Sequence, residues 1–192
     1  MIKTELLAPR PDAIEKAAGI LRAGGLVAIP TETVYGLAAN ALDGAAVSAI
    51  FAAKGRPQDN PLISHIASMD MLGMVAGHVP PQAQRLAECF WPGPLTMVLP
   101  RGGAVADEVC AGLETAAVRM PSHPVAQAVI RAAGVPLAAP SANLSGSPSP
   151  TTAQDVLADM AGRVPLILDG GACEVGVEST VVSLAGSIPV LL

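Results

Sequence analysis

Short apolar runs and alanine-rich helical patterns alternate along the whole chain. Residues 12–23, for example, place apolar side chains three and four residues apart and end at Gly24 and Gly25, and the apolar run 26–29 follows directly. The first pattern is typical of an amphipathic helix and the second of a buried strand. Helices that alternate with strands in this way pack on a sheet. The sequence therefore predicts an α/β fold.

The same reasoning places further elements along the chain. We expect helices at residues 43–53, 68–76, 81–89, 124–133 and 152–161, the first of them capped by Asp43. We expect strands at residues 61–66, 95–99, 116–120, 135–139, 165–168 and 180–184. The 18 prolines and 19 glycines fall mostly between these elements, where they mark turns. We interpret residues 1–192 as a single domain with one core.

Charge and aromatic content narrow the class of ligand. The formal net charge is −5, and aromatic residues make up 2% of the chain. Tight sequence-independent binding to nucleic acid relies on many Lys and Arg side chains, and single-strand binding also uses aromatic stacking. We therefore expect no tight direct binding to nucleic acid, whereas a small anionic ligand remains compatible with the composition.

We expect a cytoplasmic protein with no membrane segment. Its apolar stretches are interrupted by Gly, Pro or a charge before they reach the roughly 18 residues of a membrane-spanning helix. The first residues include Lys3 and Glu5 and lead into no long apolar run, so no export signal is indicated. The three cysteines form no C-x-x-C pair, which predicts neither a disulfide framework nor a zinc site.

Common catalytic signatures are absent from the sequence. It contains no G-x-x-x-x-G-K-[ST] phosphate loop, no G-x-G-x-x-G after a strand, no G-x-S-x-G elbow and no H-E-x-x-H helix. The three histidines, at positions 65, 78 and 123, lack the spacing of metal ligands. We therefore expect no protein metal site, and any activity must come from a less common set of residues.

The first candidate segment is Pro30–Gly36, in which three polar residues follow an apolar strand. Hydroxyl groups at the carboxyl end of a strand are well placed to bind a ligand in an open α/β sheet. A capped turn explains the same residues equally well. Spacing alone leaves both interpretations open.

The second candidate segment contains two cations around a glycine, Lys54 and Arg56. It continues through Asn60 into a strand that contains His65. A lysine at a helix end, with glycine after it, is also the usual pattern of a helix C-terminus. The alternative is a phosphate clamp, with Lys as a point charge and Arg as a bidentate fork.

Two further segments place small polar side chains beside strands. Residues 138–146 read A-A-P-S-A-N-L-S-G, and residues 176–182 read G-V-E-S-T-V-V. The proline and glycine of the first segment are also explained by a simple turn. The second segment, taken alone, is only weak evidence for a functional site.

Taken together and in this order, the four segments resemble the threonylcarbamoyl-AMP synthase family, the YrdC-like domain. The resemblance rests on T-x-T-x-Y-G-L, on K-G-R-P with N-P-L and the following histidine, on A-P-S-A-N-x-S-G and on E-S-T-V-V, over residues 25–182. It implies a twisted, parallel to mixed open sheet with helices on both faces and a deep polar cleft.

The resemblance also implies a reaction and its residues. L-threonine, bicarbonate and ATP, with Mg²⁺ on its phosphates, would give threonylcarbamoyl-AMP and pyrophosphate. A separate complex would then transfer the product to tRNA. The catalytic cations implied are Lys54 and Arg56. The ATP-binding residues implied are Arg56, Asn60, Thr115, Ser141, Asn143 and Ser149. The threonine-binding residues implied are Thr33, His65, Arg119, Ser179 and the backbone near Ala139.

Two alternatives stay open beside this interpretation. The first is a carbamoyl-transfer domain of the same YrdC-like type, and the second is a non-catalytic RNA-binding module. The sequence also departs from the family where the apolar residues 188–192 replace a continuation close to Arg-Pro-Gly. We interpret this run as a strand and expect the chain to be the catalytic portion of a longer protein.

Overall fold

The computed structural model describes residues 2–192. Its strands are β1 (Glu5–Leu7), β2 (Val27–Ile29), β3 (Gly36–Asn40), β4 (Ile63–His65), β5 (Leu95–Pro100), β6 (Thr115–Arg119), β7 (Leu137–Ala138), β8 (Leu166–Leu168), β9 (Thr180–Ser183) and β10 (Val190–Leu191). Its helices are α1 (Pro11–Arg22), α2 (Gly44–Lys54), α3 (Met69–Val75), α4 (Pro81–Phe90), α5 (Asp107–Cys110), α6 (Pro124–Ala133) and α7 (Ala153–Met160). Within residues 2–192, none of these helices has both the length and the apolar character needed to cross a membrane.

The strands form one mixed sheet in the order β1-β8-β2-β3-β7-β4-β6-β5-β9-β10. The pairs β1–β8, β2–β8, β4–β6 and β5–β9 are parallel. The remaining neighbours are antiparallel. The predicted α/β class with a parallel to mixed sheet is confirmed.

Side chains alternate between the two faces of this sheet, as the pleat of a strand requires. Val27 and Ile29 pack on one face together with α1 and α6. Ala28, which lies between them, packs on the opposite face with helices that include α2, α4 and α7. Helices therefore cover both faces, and strand β2 is buried on both sides.

The cover on the α1–α6 face is incomplete. The buried cluster that these two helices build takes side chains from β2, β3, β7 and β8 but, within residues 2–192, none from β4, β5, β6 or β9. Val98, Ala117 and Val181 lie on that face of the second group of strands and stay half-buried. The helices consequently leave this half of the face open, and Ile63, His65 and Arg119 on its strands β4 and β6 line the cleft described below.

The structure adds elements that the sequence did not predict, namely β1, β3 and the short helix α5. Strand β3 (sequence GLAAN) is rich in alanine, which disfavours strands in isolation, and it forms because it pairs on both sides with β2 and β7. The predicted strand within residues 188–192 is confirmed as β10, which pairs antiparallel with β9.

Helix α2 carries the second candidate segment and has a well-defined start and end. Asp43 Oδ1 accepts hydrogen bonds from the backbone N–H groups of Ala45 and Ala46, at 2.9 and 3.2 Å. Gly55 ends the helix in the left-handed conformation, with φ of 62°. The chain turns sharply there, so Lys54 belongs to the helix whereas Arg56 belongs to the following loop. The predicted cap at Asp43 is confirmed.

Removal of this cap tests how far α2 depends on it. We expect Asp43→Ala to lower the free energy of unfolding by about 1 kcal/mol, because two backbone donors lose their acceptor. Asp43→Asn keeps an acceptor oxygen and should lose only a few tenths of that value. Urea unfolding of both variants measures the difference, and equal losses in the two would show that the cap is not the source of stabilisation.

Candidate functional site

The open half of the sheet face holds a cleft of about 270 Å³. Its walls come from the turn before β3, the loop after α2, the start of β4, the loop after β7 and the segment before β9. The lining residues are Thr31, Val34, Gly36, Arg56, Pro61, Leu62, Ile63, His65, Arg119, Ala139, Pro140, Ser141, Glu178 and Ser179. Segments from all four candidate motifs therefore meet in one place.

Sheet register sets three polar side chains side by side at one end of the cleft. His65 on β4 lies opposite Arg119 on β6, and Arg119 lies opposite Thr96 on β5. Partners in register point to the same face of a sheet. Thr96 Oγ1 lies 2.7 Å from Ser179 Oγ, so this row extends to the segment before β9.

Arg119 is almost fully buried and is held on several sides. Its Nε donates to the carbonyl oxygen of Gly93 at 3.3 Å, and its Nη1 donates to Thr33 Oγ1 at 2.9 Å. Its Nη2 lies 2.7 Å from Glu32 Oε1, an ion pair by distance although the angles are poor for a hydrogen bond. An arginine has five N–H groups, so these contacts do not use all of its donors.

The carboxylate of Glu32 stays ionised in this buried place. Burial alone raises the pKa of Glu32, but the adjacent Arg119 charge opposes burial and helps to bring the pKa below the usual value. Glu32 therefore balances the charge of Arg119 at neutral pH.

The turn between β2 and β3 is capped by Thr31. The hydroxyl of Thr31 accepts from the backbone N–H groups of Thr33 and Val34, and it donates to the carbonyl oxygen of Val34. Thr31 also lines the cleft. The segment is thus a capped turn in which Thr31 forms part of the cleft wall, while Thr33 lies behind Arg119.

His65 is a neutral side chain in the cleft wall. Burial, and next the nearby charge of Arg119, lower the pKa of His65 to about 3. Its Nδ1 lies 3.2 Å from the carbonyl oxygen of Ile63. A carbonyl only accepts, so Nδ1 carries the proton, and Nε2 is left as an acceptor.

The structure separates the two cations of the second candidate segment. Arg56 lines the cleft, whereas Lys54 is 3% exposed and does not. The ammonium of Lys54 donates to the carbonyl oxygens of Ser141 and Asn143 and to Asn143 Oδ1. The carbonyl oxygen of Lys54 accepts from Ser145 N–H at 2.9 Å. Lys54 therefore holds the loop that presents Ser141 to the cleft.

Among the other predicted residues, Ser141, Ala139, His65, Arg119 and Ser179 line the cleft together with Arg56. Asn143 is buried, and its amide donates to the carbonyl oxygens of Leu144 and Ser147. Ser149 donates to Glu178, and Asn60 is exposed beyond the cleft wall. Thr115 shares the open face of β6 with Arg119, four residues away along the strand. The ligand roles of these residues stay predictions.

Sequence reasoning assigned no role to Glu32, Thr96 or Glu178. Glu32 lies in the first candidate segment and Glu178 in the segment 176–182, so a charged residue inside a polar motif was the sequence feature that could have indicated a role. Thr96 is a polar residue within the apolar run Leu95–Leu99, and only its contact with Ser179 reveals its place. In the part of the chain that the structure describes, no three His, Cys, Asp or Glu side chains converge as metal ligands.

Comparison with known proteins adds independent information. The Sua5/YciO/YrdC family model, whose description reads "Telomere recombination", matches residues 19–192. The chain is 56% identical over 179 residues to threonylcarbamoyl-AMP synthase of Pyrococcus abyssi, covering 93% of this chain and 53% of that protein. It is 54% identical over 190 residues to threonylcarbamoyl-AMP synthase of Bacillus subtilis, covering 98% and 55%.

A solved structure shares the fold closely. The structure of P. abyssi Sua5 complexed with L-threonine superimposes with a TM-score of 0.94 at 53% identity, covering 100% of this chain and 56% of that one. The chain spans about half the length of these P. abyssi and B. subtilis relatives.

The buried ammonium of Lys54 predicts a dependence of stability on pH. Burial, and next the charge of Arg56, lower the pKa of Lys54 from 10.5 to about 8. Between pH 8 and 10.5 the unfolded chain therefore holds this proton while the native chain does not, so native stability should rise with pH. We expect urea unfolding to show this rise in the natural chain and its absence in Lys54→Met. A parallel pH dependence in both proteins would contradict the assignment.

Proposed function

The chain belongs to the Sua5/YciO/YrdC family, and from that premise we propose that it forms threonylcarbamoyl-AMP and pyrophosphate from L-threonine, bicarbonate and ATP. The observation that carries the proposal is the row of His65, Arg119 and Thr96–Ser179 at one end of the cleft. The similar structure of P. abyssi Sua5 complexed with L-threonine supports the same substrate.

The row offers what an amino acid with a β-hydroxyl requires. The remaining N–H groups of Arg119 suit a carboxylate, which binds a guanidinium as a fork. The Nε2 of His65 accepts a hydrogen bond and so suits the amine of the amino acid. The hydroxyl of Ser179 can both donate and accept, which suits the side-chain hydroxyl of the amino acid. Thr33 and the backbone near Ala139 complete this end in the proposal, Thr33 through its contact with Arg119.

The proposed chemistry needs positioning and positive charge more than a strong base. The amine of threonine combines with bicarbonate, with loss of water, to form a carbamate. A carbamate oxygen then forms a bond to the α-phosphorus of ATP, the bond to the bridging oxygen breaks, and pyrophosphate leaves. Because the nucleophile is already anionic, the enzyme mainly aligns the groups and stabilises the phosphate charge.

Arg56 is the cation in the cleft wall for that charge. Its Nε is buried without a protein hydrogen-bond partner, so a ligand oxygen would satisfy it. We assign Ser141 on the loop after β7 to the same phosphates, with Lys54 and Asn143 fixing that loop from behind. Asn60, Thr115 and Ser149 are proposed contacts for the rest of ATP.

Mg²⁺ would enter with ATP and neutralise part of the phosphate charge. The residues fit this mode, because Mg²⁺ at nucleotide sites is held largely by phosphate oxygens and water, with one or two carboxylates. Glu178 lines the cleft and is exposed, with one carboxylate oxygen accepting from Ser149, whereas the carboxylate of Glu32 is committed to Arg119.

The product would leave for a separate complex that modifies tRNA in the cytoplasm. The net charge of −5 supports an enzyme that hands over a small molecule and does not itself bind nucleic acid tightly. We propose this downstream complex as a partner because some enzyme must accept the activated threonylcarbamoyl group.

The substrate requirement is the direct test. Pyrophosphate release from ATP should need L-threonine and bicarbonate together, because the nucleophile is their adduct. Serine lacks one methyl, worth about 1 kcal/mol, so it should turn over at a rate lower by roughly tenfold or less. A coupled pyrophosphate assay measures both, and glycine as good as threonine would reject the assignment of this substrate.

The proposed fork on the carboxylate predicts a selective defect. Arg119→Lys should raise the KM for threonine far more than the KM for ATP, because an ammonium cannot reproduce two parallel hydrogen bonds. Arg101→Lys is a matched control, since Arg101 pairs with Asp107 outside the cleft lining. If Arg119→Lys affects only the KM for ATP, the two substrates are placed the wrong way round.

A further inference from the structure

Glu32 is a charged residue in the interior with a single charged partner. It is 5% exposed, and its contact with Arg119 Nη2 at 2.7 Å is an ion pair. Neither carboxylate oxygen has a protein hydrogen bond of good geometry. A buried carboxylate loses its hydration, and a buried ion pair is often no more stabilising than apolar residues of the same size. Stability alone therefore gives no reason for a glutamate here.

The position of Glu32 relative to the cleft suggests a role at the ligand. Arg119 lines the cleft, whereas Glu32 does not and lies behind it. The guanidinium is thus held by Gly93, Thr33 and Glu32 on its protein side, which leaves its remaining N–H groups for the cleft. A planar group fixed at three points cannot rotate freely, so Glu32 helps to set the direction of those N–H groups.

Charge balance follows from the same contact. The ionised Glu32 cancels the ionised Arg119, and His65 beside them is neutral. His123 and Cys173 also face Glu32, and burial lowers the pKa of His123 and raises that of Cys173, which favours their neutral forms. The group formed by Glu32, Arg119 and His65 therefore offers directional donors for a carboxylate while carrying no net charge.

We propose that Glu32 is a specificity-determining and positioning residue, which restricts the Arg119 subsite to zwitterionic α-amino acids and excludes simple carboxylate anions. This inference rests on the proposed function, because it concerns the amino acid end of the same cleft. An unbalanced arginine attracts any anion, since Coulomb attraction is not directional. With Glu32 present, a carboxylate gains only the oriented hydrogen bonds, and the ammonium of a zwitterion is not repelled.

The test uses two analogues of threonine that each lack one charged group. The anion 3-hydroxybutyrate keeps the carboxylate, hydroxyl and methyl groups but has no amine, and L-threonine amide has no carboxylate. Calorimetric titration without ATP measures the binding of both analogues and of L-threonine. In Glu32→Gln, whose amide oxygen can still accept from Arg119, we expect 3-hydroxybutyrate to bind about tenfold tighter relative to threonine. L-threonine amide should not gain affinity.

Matched variants separate charge from structure. Glu5→Gln removes the same charge from an exposed pair with Lys16 and should leave all three affinities unchanged. Glu32→Asp keeps the charge on a shorter side chain, so it should weaken threonine without tightening 3-hydroxybutyrate. This variant keeps the idea testable if Glu32→Gln does not fold, as thermal unfolding would show.

Unchanged preference between 3-hydroxybutyrate and threonine in Glu32→Gln would overturn the proposal, as would tighter binding of the anion to Glu32→Asp. Failure of the natural chain to bind threonine would overturn it as well. Failure of the proposed function has a different signature, namely threonine binding with the expected selectivity but no threonine-dependent release of pyrophosphate.

Discussion

Incomplete helical cover of one sheet face is the constraint on which the site depends. Helices α1 and α6 pack over β2, β3, β7 and β8 and leave the same face of β4, β6, β5 and β9 open. The opposite face is buried across the sheet, including Met97 and Val118 of the open half. A rigid, well-packed layer therefore supports the cleft from below, and polar side chains on its floor keep their relative positions because strand register fixes them.

Each buried cation near the cleft is held by partners within the protein. Lys54 is satisfied by the oxygens of Ser141 and Asn143, and Arg119 by Gly93, Thr33 and Glu32. This arrangement avoids the large free-energy penalty of burying an unpaired charge. In the proposed function, positive charge would therefore reach a ligand through Arg56 and Arg119, which both line the cleft.

Local spacing was a good guide to the elements and a partial guide to the site. The boundaries of α6 and the cap of α2 agree with the prediction because both depend on residues close in sequence. Strand β3 was missed because its alanines carry no strand signal and its partners lie elsewhere in the chain. Of the two cations in the predicted phosphate clamp, only Arg56 lines the cleft, because the buried ammonium of Lys54 holds the nearby loop at Ser141 and Asn143.

The sequence by itself determined the α/β class, where the helices begin and end, and the four segments that carry the family resemblance, since these depend on spacing within a few residues. Only the tertiary structure decided that one sheet half stays uncovered, that Lys54 holds a loop 87 residues away and that Arg119 meets Thr33 across 86 residues. The physical reason is that desolvation and ion pairing depend on which distant groups are brought into contact, and local periodicity carries no information about that contact.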